Sequence, residues 1–226
     1  MPLPRLEPSG RVGDQVFEAI RAAIVSGELP AGHRLRIREL ADELGTSVMP
    51  VREAIRRLEE IGLAEALPYR GAVVKEFTDT ELLELYTVRH WLETKATILG
   101  VARLSTADIA RMQAEYEAMA AAVADRAAVE YLDRDEAFLT IIYEAANNAV
   151  LLELIRTLWH RCRTYKILGA RRELFAGDAA VLLSFQEELL QAARDGDADG
   201  AGRITEASLD AATQRIEQAL VQSGSR

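Results

Sequence analysis

The chain is short of several residue types, and each shortage excludes a class of protein. It has a single cysteine, Cys162, so it cannot form an internal disulfide, and we expect it to work in a reducing compartment. No uninterrupted apolar run approaches the roughly 20 residues of a membrane-spanning helix. The first residues, MPLPRLEPSGR, contain no apolar segment like that of a signal peptide. These absences predict a cytoplasmic protein with no membrane partner.

Positive charge is also scarce, although its distribution matters more than the total. The formal net charge is −9, which by itself argues against a nucleic-acid partner. Residues 1–77, however, carry 11 Lys/Arg against 12 Asp/Glu, whereas residues 78–226 carry 16 against 24. The N-terminal part is therefore nearly neutral. It can still present basic side chains on one face, because local placement sets the affinity for phosphates.

The N-terminal part combines short apolar stripes with glycine and proline punctuation. The pattern predicts three helices and two strands, over residues 13–26, 37–44 and 47–61 and over residues 63–67 and 72–77. Gly45 permits a sharp turn between the second and third helices, and Ser47 is a suitable N-cap for the third. Residues 68–71 form the tip of a hairpin. This order predicts a winged helix-turn-helix, in which the hairpin is the wing.

A helix-turn-helix reads DNA with the N-terminal end of its second helix, which enters the major groove. That end must carry small or polar side chains rather than acids, because it approaches phosphates. The residues that meet this need are Thr46, Ser47, Val48, Met49 and Arg52, and the basic candidates for phosphate or base contact are Arg38, Arg52, Arg56 and Arg70. Periodicity alone is equally consistent with a small three-helix unit that carries surface arginines.

The residue order is more specific than the periodicity. The stretch LRIRELADELG, followed by TS, PVREAIRRLEEIGL and RGAVV, resembles the DNA-binding domain of the GntR family of bacterial transcription regulators over about residues 12–77. By position, the resemblance implies DNA contacts at Arg38, Ser47, Met49, Arg52 and Gly71, with the wing at the minor groove. The family frequently has arginine in place of Val48, where it helps to read a guanine. Val48 can only touch a thymine methyl, which indicates an unusual operator half-site.

After residue 77 the pattern is helical throughout. It predicts six helices, over residues 79–102, 106–124, 126–146, 148–169, 178–195 and 198–221. Thr78 with Glu81 and Ser105 with Asp108 have the spacing of capping boxes. The predicted fold is therefore mainly α, with a winged helix-turn-helix over 1–77 and an all-α six-helix bundle over 78–226.

The bundle resembles the FCD-type effector domain of one GntR branch over about residues 78–222. The stretches that carry this resemblance are LYTVRHWLETKAT, DEAFLTIIYEAANNAVL and AARDGDADGAG. Six helices rather than seven indicate the VanR-like subgroup. The resemblance implies a domain that binds a small organic effector, often a carboxylate, and that forms a homodimer.

Many members of this branch hold a divalent metal with one aspartate and three histidines. By position, these places fall on Asp135, Leu139, Gln186 and Ser208. A carboxylate with a leucine, an amide and a hydroxyl makes a poor zinc or nickel site, so we expect no metal and no other cofactor. The chain's histidines are His33, His90 and His160, and a structural role is the expectation for each.

The same positions are candidates for an effector pocket without a metal. Arg89 matches a position where the family often directs an arginine at the pocket, and it could hold a carboxylate. An ion pair with Glu93, four residues further on, is an equally good interpretation. Asp135 has a similar alternative, which is to pair with Arg134 or with a neighbouring helix. Three aromatic residues are expected in the core rather than in the pocket wall: Tyr131, Trp159 and Tyr165.

These features favour a homodimeric transcription regulator, by resemblance most often a repressor, that reads a palindromic operator and answers a small organic effector. A constitutive DNA-binding protein with a purely structural bundle is the main alternative. A helical enzyme with an interaction domain is disfavoured, because the sequence has no glycine-rich phosphate loop, no HExxH pair and no GxSxG motif. Cys162 lies on a helical stripe, where a core thiol is the expected role.

Overall fold

The computed structural model describes residues 10–67, 71–176 and 181–223. The chain divides into two compact units between Glu76 and Phe77, and each unit is described by itself. Within the described ranges, no helix is both long enough and apolar enough to cross a membrane.

The N-terminal unit is a three-helix core with a small antiparallel sheet. Its elements are α1 (Gly10–Ser26), β1 (Arg34–Leu35), α2 (Ile37–Glu43), α3 (Val48–Glu60), β2 (Ala64–Leu67) and β3 (Gly71–Val74). The strands lie in the order β1-β3-β2, and Leu35 of β1 is paired with Ala72 of β3. The winged helix-turn-helix is therefore confirmed. Strand β1 was not predicted, because two residues are too few to show an alternating pattern.

The turn between α2 and α3 fixes how the recognition helix α3 begins. Gly45 has a φ of +63°, which favours glycine. The amide of Thr46 donates to the carbonyl of Ala41 and that of Gly45 to Asp42, an arrangement that closes α2 as a Schellman motif. Ser47 is the N-cap of α3, as predicted, but its side chain makes no capping hydrogen bond. Its hydroxyl is therefore not committed to the helix end.

The C-terminal unit is a helical bundle. The described residues form six helices: α4 (Asp79–Val101), α5 (Thr106–Ala124), α6 (Ala128–Ala145), α7 (Ala149–Ala176), α8 (Val181–Asp195) and α9 (Ala198–Ser223). Helix α7 continues seven residues beyond the predicted end at residue 169, because Gly169 has open space around it and is tolerated within the helix. The turn predicted at Gly177 and Asp178 lies outside the described residues.

Side-chain caps set the helix starts in the bundle. Both predicted capping boxes are present: Thr78 and Glu81 exchange hydrogen bonds at the start of α4, and Ser105 and Asp108 do so at the start of α5. The side chain of Asn148 accepts a hydrogen bond from the Leu151 amide at the start of α7. These short-range bonds explain why the helix starts could be predicted from sequence.

One close approach holds α4 against α6. A Cβ atom at Gly100 would overlap the carbonyl oxygen of Ile142, so only glycine allows this packing. We expect Gly100→Ala to lower the free energy of unfolding by about 1–3 kcal/mol, because one helix must move. Urea denaturation of the full chain measures this. Gly169→Ala is the matched control: it meets no neighbour, and it should raise the stability by about 0.5–1 kcal/mol through helix propensity. Equal effects of the two substitutions would contradict the packing argument.

Candidate DNA interface and bundle cavity

The start of α3 presents an unusual surface. Val48 is 40% exposed and Met49 65% exposed, although both are apolar, and Ser47 and Arg52 are exposed beside them. The opposite face of α3 is buried against α1 through Val51 and other apolar residues. The first turn of α3 therefore offers a mixed apolar and polar surface at a helix N-terminus, where the partial positive charge favours phosphate.

The candidate basic residues differ in whether they have an ion-pair partner. Arg38 and Arg52 are exposed, and neither has an ion-pair partner among the described residues. Arg56 pairs with Glu60 at 3.0 Å, but both side chains are more than half exposed, so the pair is weak and can exchange for phosphate. Gly71 is exposed, begins β3 and has a φ of +85°. Arg70 lies outside the described residues.

Arg57 shows the contrasting, structural use of a basic residue on α3. Its guanidinium pairs with Asp14 of α1 at 2.7 Å and lies 4.1 Å from the centre of the Phe17 ring. It therefore holds α3 against α1. This use separates Arg57 from Arg52 and Arg56, which point away from the core.

The bundle encloses a cavity of about 530 Å³ lined by residues of α4, α6, α7, α8 and α9. The structure brings all five candidate effector residues together on its wall: Arg89, Asp135, Leu139, Gln186 and Ser208. Tyr131 and Tyr165 also line it. Tyr131 is at the same time a buried core residue, as expected, whereas Tyr165 is only partly buried. Trp159 is buried in the core as expected. Periodicity cannot separate the two roles, because an inward-facing aromatic ring borders a core or a cavity alike.

Arg89 lines the cavity and forms the ion pair with Glu93. Its Nε atom lies 2.6 Å from Glu93 Oε1, and both side chains are buried. Glu93 also accepts hydrogen bonds from Trp159 Nε1 at 3.0 Å and from the Tyr143 hydroxyl at 3.3 Å. Burial disfavours the charged guanidinium, but Glu93 raises the pKa of Arg89 well above its ordinary value. Arg89 is thus a permanently charged group in a fixed orientation.

Asp135 pairs with a neighbouring helix rather than with Arg134, which contacts Glu115 and Glu130 instead. Gln186 Nε2 of α8 donates to Asp135 Oδ1 at 2.8 Å, and Lys166 Nζ of α7 lies 3.6 Å from Oδ2. Burial raises the pKa of Asp135, while Lys166 and Gln186 act in the opposite direction. Gln186 Oε1 is buried and accepts no hydrogen bond from the described residues.

Lys166 is the cavity residue that sequence reasoning missed. The sequence does contain a pattern that places Lys166 inside the bundle. Trp159, Cys162 and Lys166 follow one another at spacings of three and four residues on a buried helical stripe. A lysine on such a stripe needs an acidic partner. Cys162 itself is a buried thiol, as expected. Burial raises its pKa, which makes it a core residue and not a nucleophile.

The residues at the family's metal position do not fit a transition metal. Leu139 has no donor atom, and the Asp135 and Gln186 side chains are bonded to each other. The described part of the chain contains no cluster of three or more His, Cys, Asp or Glu side chains arranged to hold a metal ion. His90 instead lies 3.5 Å from Asp210 at the bundle surface.

The two units define a class: a winged-helix DNA-binding unit and a helical unit built around a charged cavity. Residues 12–74 match the bacterial regulatory proteins of the gntR family, and residues 84–211 match the FCD domain. The chain therefore belongs to the GntR family of bacterial regulatory proteins, in the branch with an FCD domain. It is a DNA-binding transcription regulator and not an enzyme.

Individual relatives agree with this assignment. The chain is 31% identical over 147 residues to the HTH-type transcriptional regulator McbR of Escherichia coli (strain K12), covering 65% of this chain and 66% of that one. It is 40% identical over 82 residues to the probable D-xylose utilization operon transcriptional repressor of Paenarthrobacter nicotinovorans, covering 36% of each. These sequence alignments thus span about two thirds and one third of the relatives' lengths.

Solved structures extend the likeness to nearly the whole chain. E. coli McbR/YncC superposes with a TM-score of 0.78 at 27% identity, covering 92% of this chain and 98% of that one. A putative transcriptional regulator GntR from Rhodococcus sp. RHA1 superposes with a TM-score of 0.79 at 26% identity, covering 93% and 99%.

Glu93 should be essential for the bundle, because it neutralises Arg89. We expect Glu93→Gln to lower the free energy of unfolding by about 3 kcal/mol, since it leaves a buried charge without its counter-charge. Urea denaturation measures the loss. The double variant with Arg89→Met removes both charges and should lose less than the sum of the two single variants. Strict additivity would show that the two charges do not interact.

Proposed function

We propose that this regulator binds a palindromic operator as a homodimer and that a small organic effector in the bundle cavity changes its affinity for that operator. One observation carries the proposal: the first turn of α3 is exposed and carries polar, apolar and free basic side chains at the end that enters a major groove. An operator on bacterial DNA places the working protein in the cytoplasm.

Each residue of this interface has a distinct proposed contact. Ser47, whose hydroxyl is not used in capping, and Arg52 donate to base edges or phosphates. Val48 and Met49 offer apolar surface that suits a thymine methyl. Arg38 and Arg56 contact phosphates. The wing at Gly71 meets the minor groove.

The effector is proposed to be a small carboxylic acid with a further hydrogen-bond donor. A cavity of about 530 Å³ has the size of a small-molecule pocket. Arg89 is held by Glu93 and presents its remaining N–H groups to a carboxylate. The buried Oε1 of Gln186, which has no hydrogen-bond partner among the described residues, can accept a hydrogen bond from a hydroxyl or N–H group of a ligand. Ser208 adds a second polar contact, and Leu139 an apolar one.

A purely structural bundle is less well supported than a ligand-binding one. Protein cores pack closely and leave few voids larger than a water molecule. The wall of this cavity carries the charged side chains of Arg89, Asp135 and Lys166, which suit a polar ligand better than an apolar filling. Relatives described as repressors include the P. nicotinovorans protein and GlaR of E. coli (strain K12). We therefore propose repression, with the effector binding one of two states more tightly and so shifting operator affinity.

Arg52 gives the sharpest test of the DNA interface. An operator is first selected from a random DNA library with the full chain. Arg52→Ala should then weaken binding by about 1–3 kcal/mol, because it removes a direct contact. A gel-shift titration at fixed salt measures the affinity.

Arg111→Ala, an exposed arginine of α5 in the bundle, is the control and should leave the affinity unchanged. Unchanged affinity of Arg52→Ala would remove Arg52 from the reading surface. Sedimentation of the complex tests the homodimer, since two protomers per operator are expected. One protomer bound at full affinity would contradict the palindromic arrangement.

The effector site predicts ligand-dependent stability. In a thermal-shift screen of carboxylic acids, hydroxy and amino acids should stabilise the full chain more than acetate does, because they supply a donor for Gln186. For an acid that stabilises, Gln186→Met should weaken binding about tenfold through the lost hydrogen bond. Gln191→Met, the same change at an exposed position of α8, is the control. Equal binding by both variants would contradict the proposed role of Gln186.

A further inference from the structure

Both oxygens of the Asp135 carboxylate already face a positively charged or hydrogen-bonding neighbour. Oδ1 accepts the hydrogen bond from Gln186 Nε2 at 2.8 Å, and Oδ2 faces Lys166 Nζ at 3.6 Å. Gln186 can make this bond only with its amide nitrogen, because its oxygen would repel the carboxylate. The two partners come from α8 and α7. Asp135 thus already has a cation and a donor beside it.

Lys166 is nearly buried, with a side chain only 10% exposed, and it lines the cavity. Its ammonium also lies 3.3 Å from Glu136 Oε1 and 5.5 Å from the centre of the Trp159 ring. Burial lowers the pKa of Lys166, but Glu136 and Asp135 more than offset this and raise it. The ammonium therefore stays charged at neutral pH.

We propose that the Lys166 ammonium is the resident cation of the cavity, standing beside Asp135 where other members of the branch hold a metal, so that this domain receives its effector's carboxylate without a metal. The proposal rests on the proposed function, because it concerns the same effector site. It assigns a binding role to Lys166, which is not among the pocket positions implied by the family resemblance.

The donor count of Lys166 supports this role. An ammonium has three N–H donors. Nζ donates to Glu136 Oε1 at 3.3 Å and faces Asp135 Oδ2 at 3.6 Å, which leaves an N–H group that could donate to a ligand in the cavity. Glu136 is shared with Arg163, whose Nη1 lies 2.8 Å from the same oxygen, so Lys166 does not neutralise it alone. Arg89 and Lys166 then offer two fixed cationic donors to one anion.

The proposal predicts that Lys166 excludes a metal even when the missing ligands are restored. A zinc site is rebuilt with Leu139→His, Gln186→His and Ser208→His, and the same triple variant is made with Lys166→Gln. Zinc alone is the probe, and competition with a chromophoric chelator measures its affinity. We expect binding to be at least about tenfold tighter with Lys166→Gln, because the ammonium repels a cation at Asp135.

Lys95→Gln in the triple variant is the matched control, since Lys95 is exposed on α4, and it should leave zinc affinity unchanged. Equal zinc affinity with and without Lys166→Gln, or no zinc binding in either, would overturn the proposal. Glutamine keeps a donor for Asp135, so the variant should fold, and circular dichroism checks this.

A second measurement uses the native chain and its small number of lysines. The sequence contains only Lys75, Lys95 and Lys166, so carbon-13 labelling of lysine gives the side-chain signals of just three residues. The signal of Lys166 is the one that disappears in the Lys166→Gln variant. Acetate should shift the Lys166 signal saturably and leave the other two unchanged. The proposal would be overturned if acetate shifted the Lys166 signal no more than it shifts the signals of Lys75 and Lys95. Neither measurement involves DNA, so the operator assay separately decides the proposed function.

Discussion

The buried carboxylate of Glu93 is the interaction on which the bundle depends. It accepts hydrogen bonds from Arg89 on its own helix, from Tyr143 on α6 and from Trp159 on α7. A single carboxylate thereby fixes three helices and the orientation of a buried guanidinium. Because the charge of Arg89 is matched by that of Glu93, the polar cluster can exist in an apolar interior, where an unpaired member would be strongly destabilising.

A second polar cluster extends the same arrangement across the cavity. Asp135 of α6 bonds Gln186 of α8 and faces Lys166 of α7, so the wall of the cavity is itself a set of helix-to-helix contacts. The residues proposed to recognise the effector are therefore the same residues that hold these helices together. A ligand that changes how Arg89, Lys166 or Gln186 is paired also changes how these helices are held, which is the physical basis for a response to an effector.

Local chemistry made much of the fold predictable. The capping boxes of α4 and α5 and the glycine turn before α3 depend on neighbours only three to five residues away, and all were read correctly. Failures arose where the deciding neighbour is distant. Strand β1 exists only because Val73 and Ala72 pair with it, and α7 passes Gly169 because nothing there requires a turn. The assignment to the VanR-like subgroup remains a prediction based on helix count.

The sequence by itself determined the class of the protein, because the residue order around Gly45, Ser47 and Arg52 encodes a helix-turn-helix through local turns and caps. It also located Arg89, Asp135, Leu139, Gln186 and Ser208, which the fold brings to one cavity. Only the tertiary structure decided which cation lies beside Asp135. Lys166 is 31 residues from Asp135 along the chain, and a contact between two helices follows from packing, which no local pattern encodes.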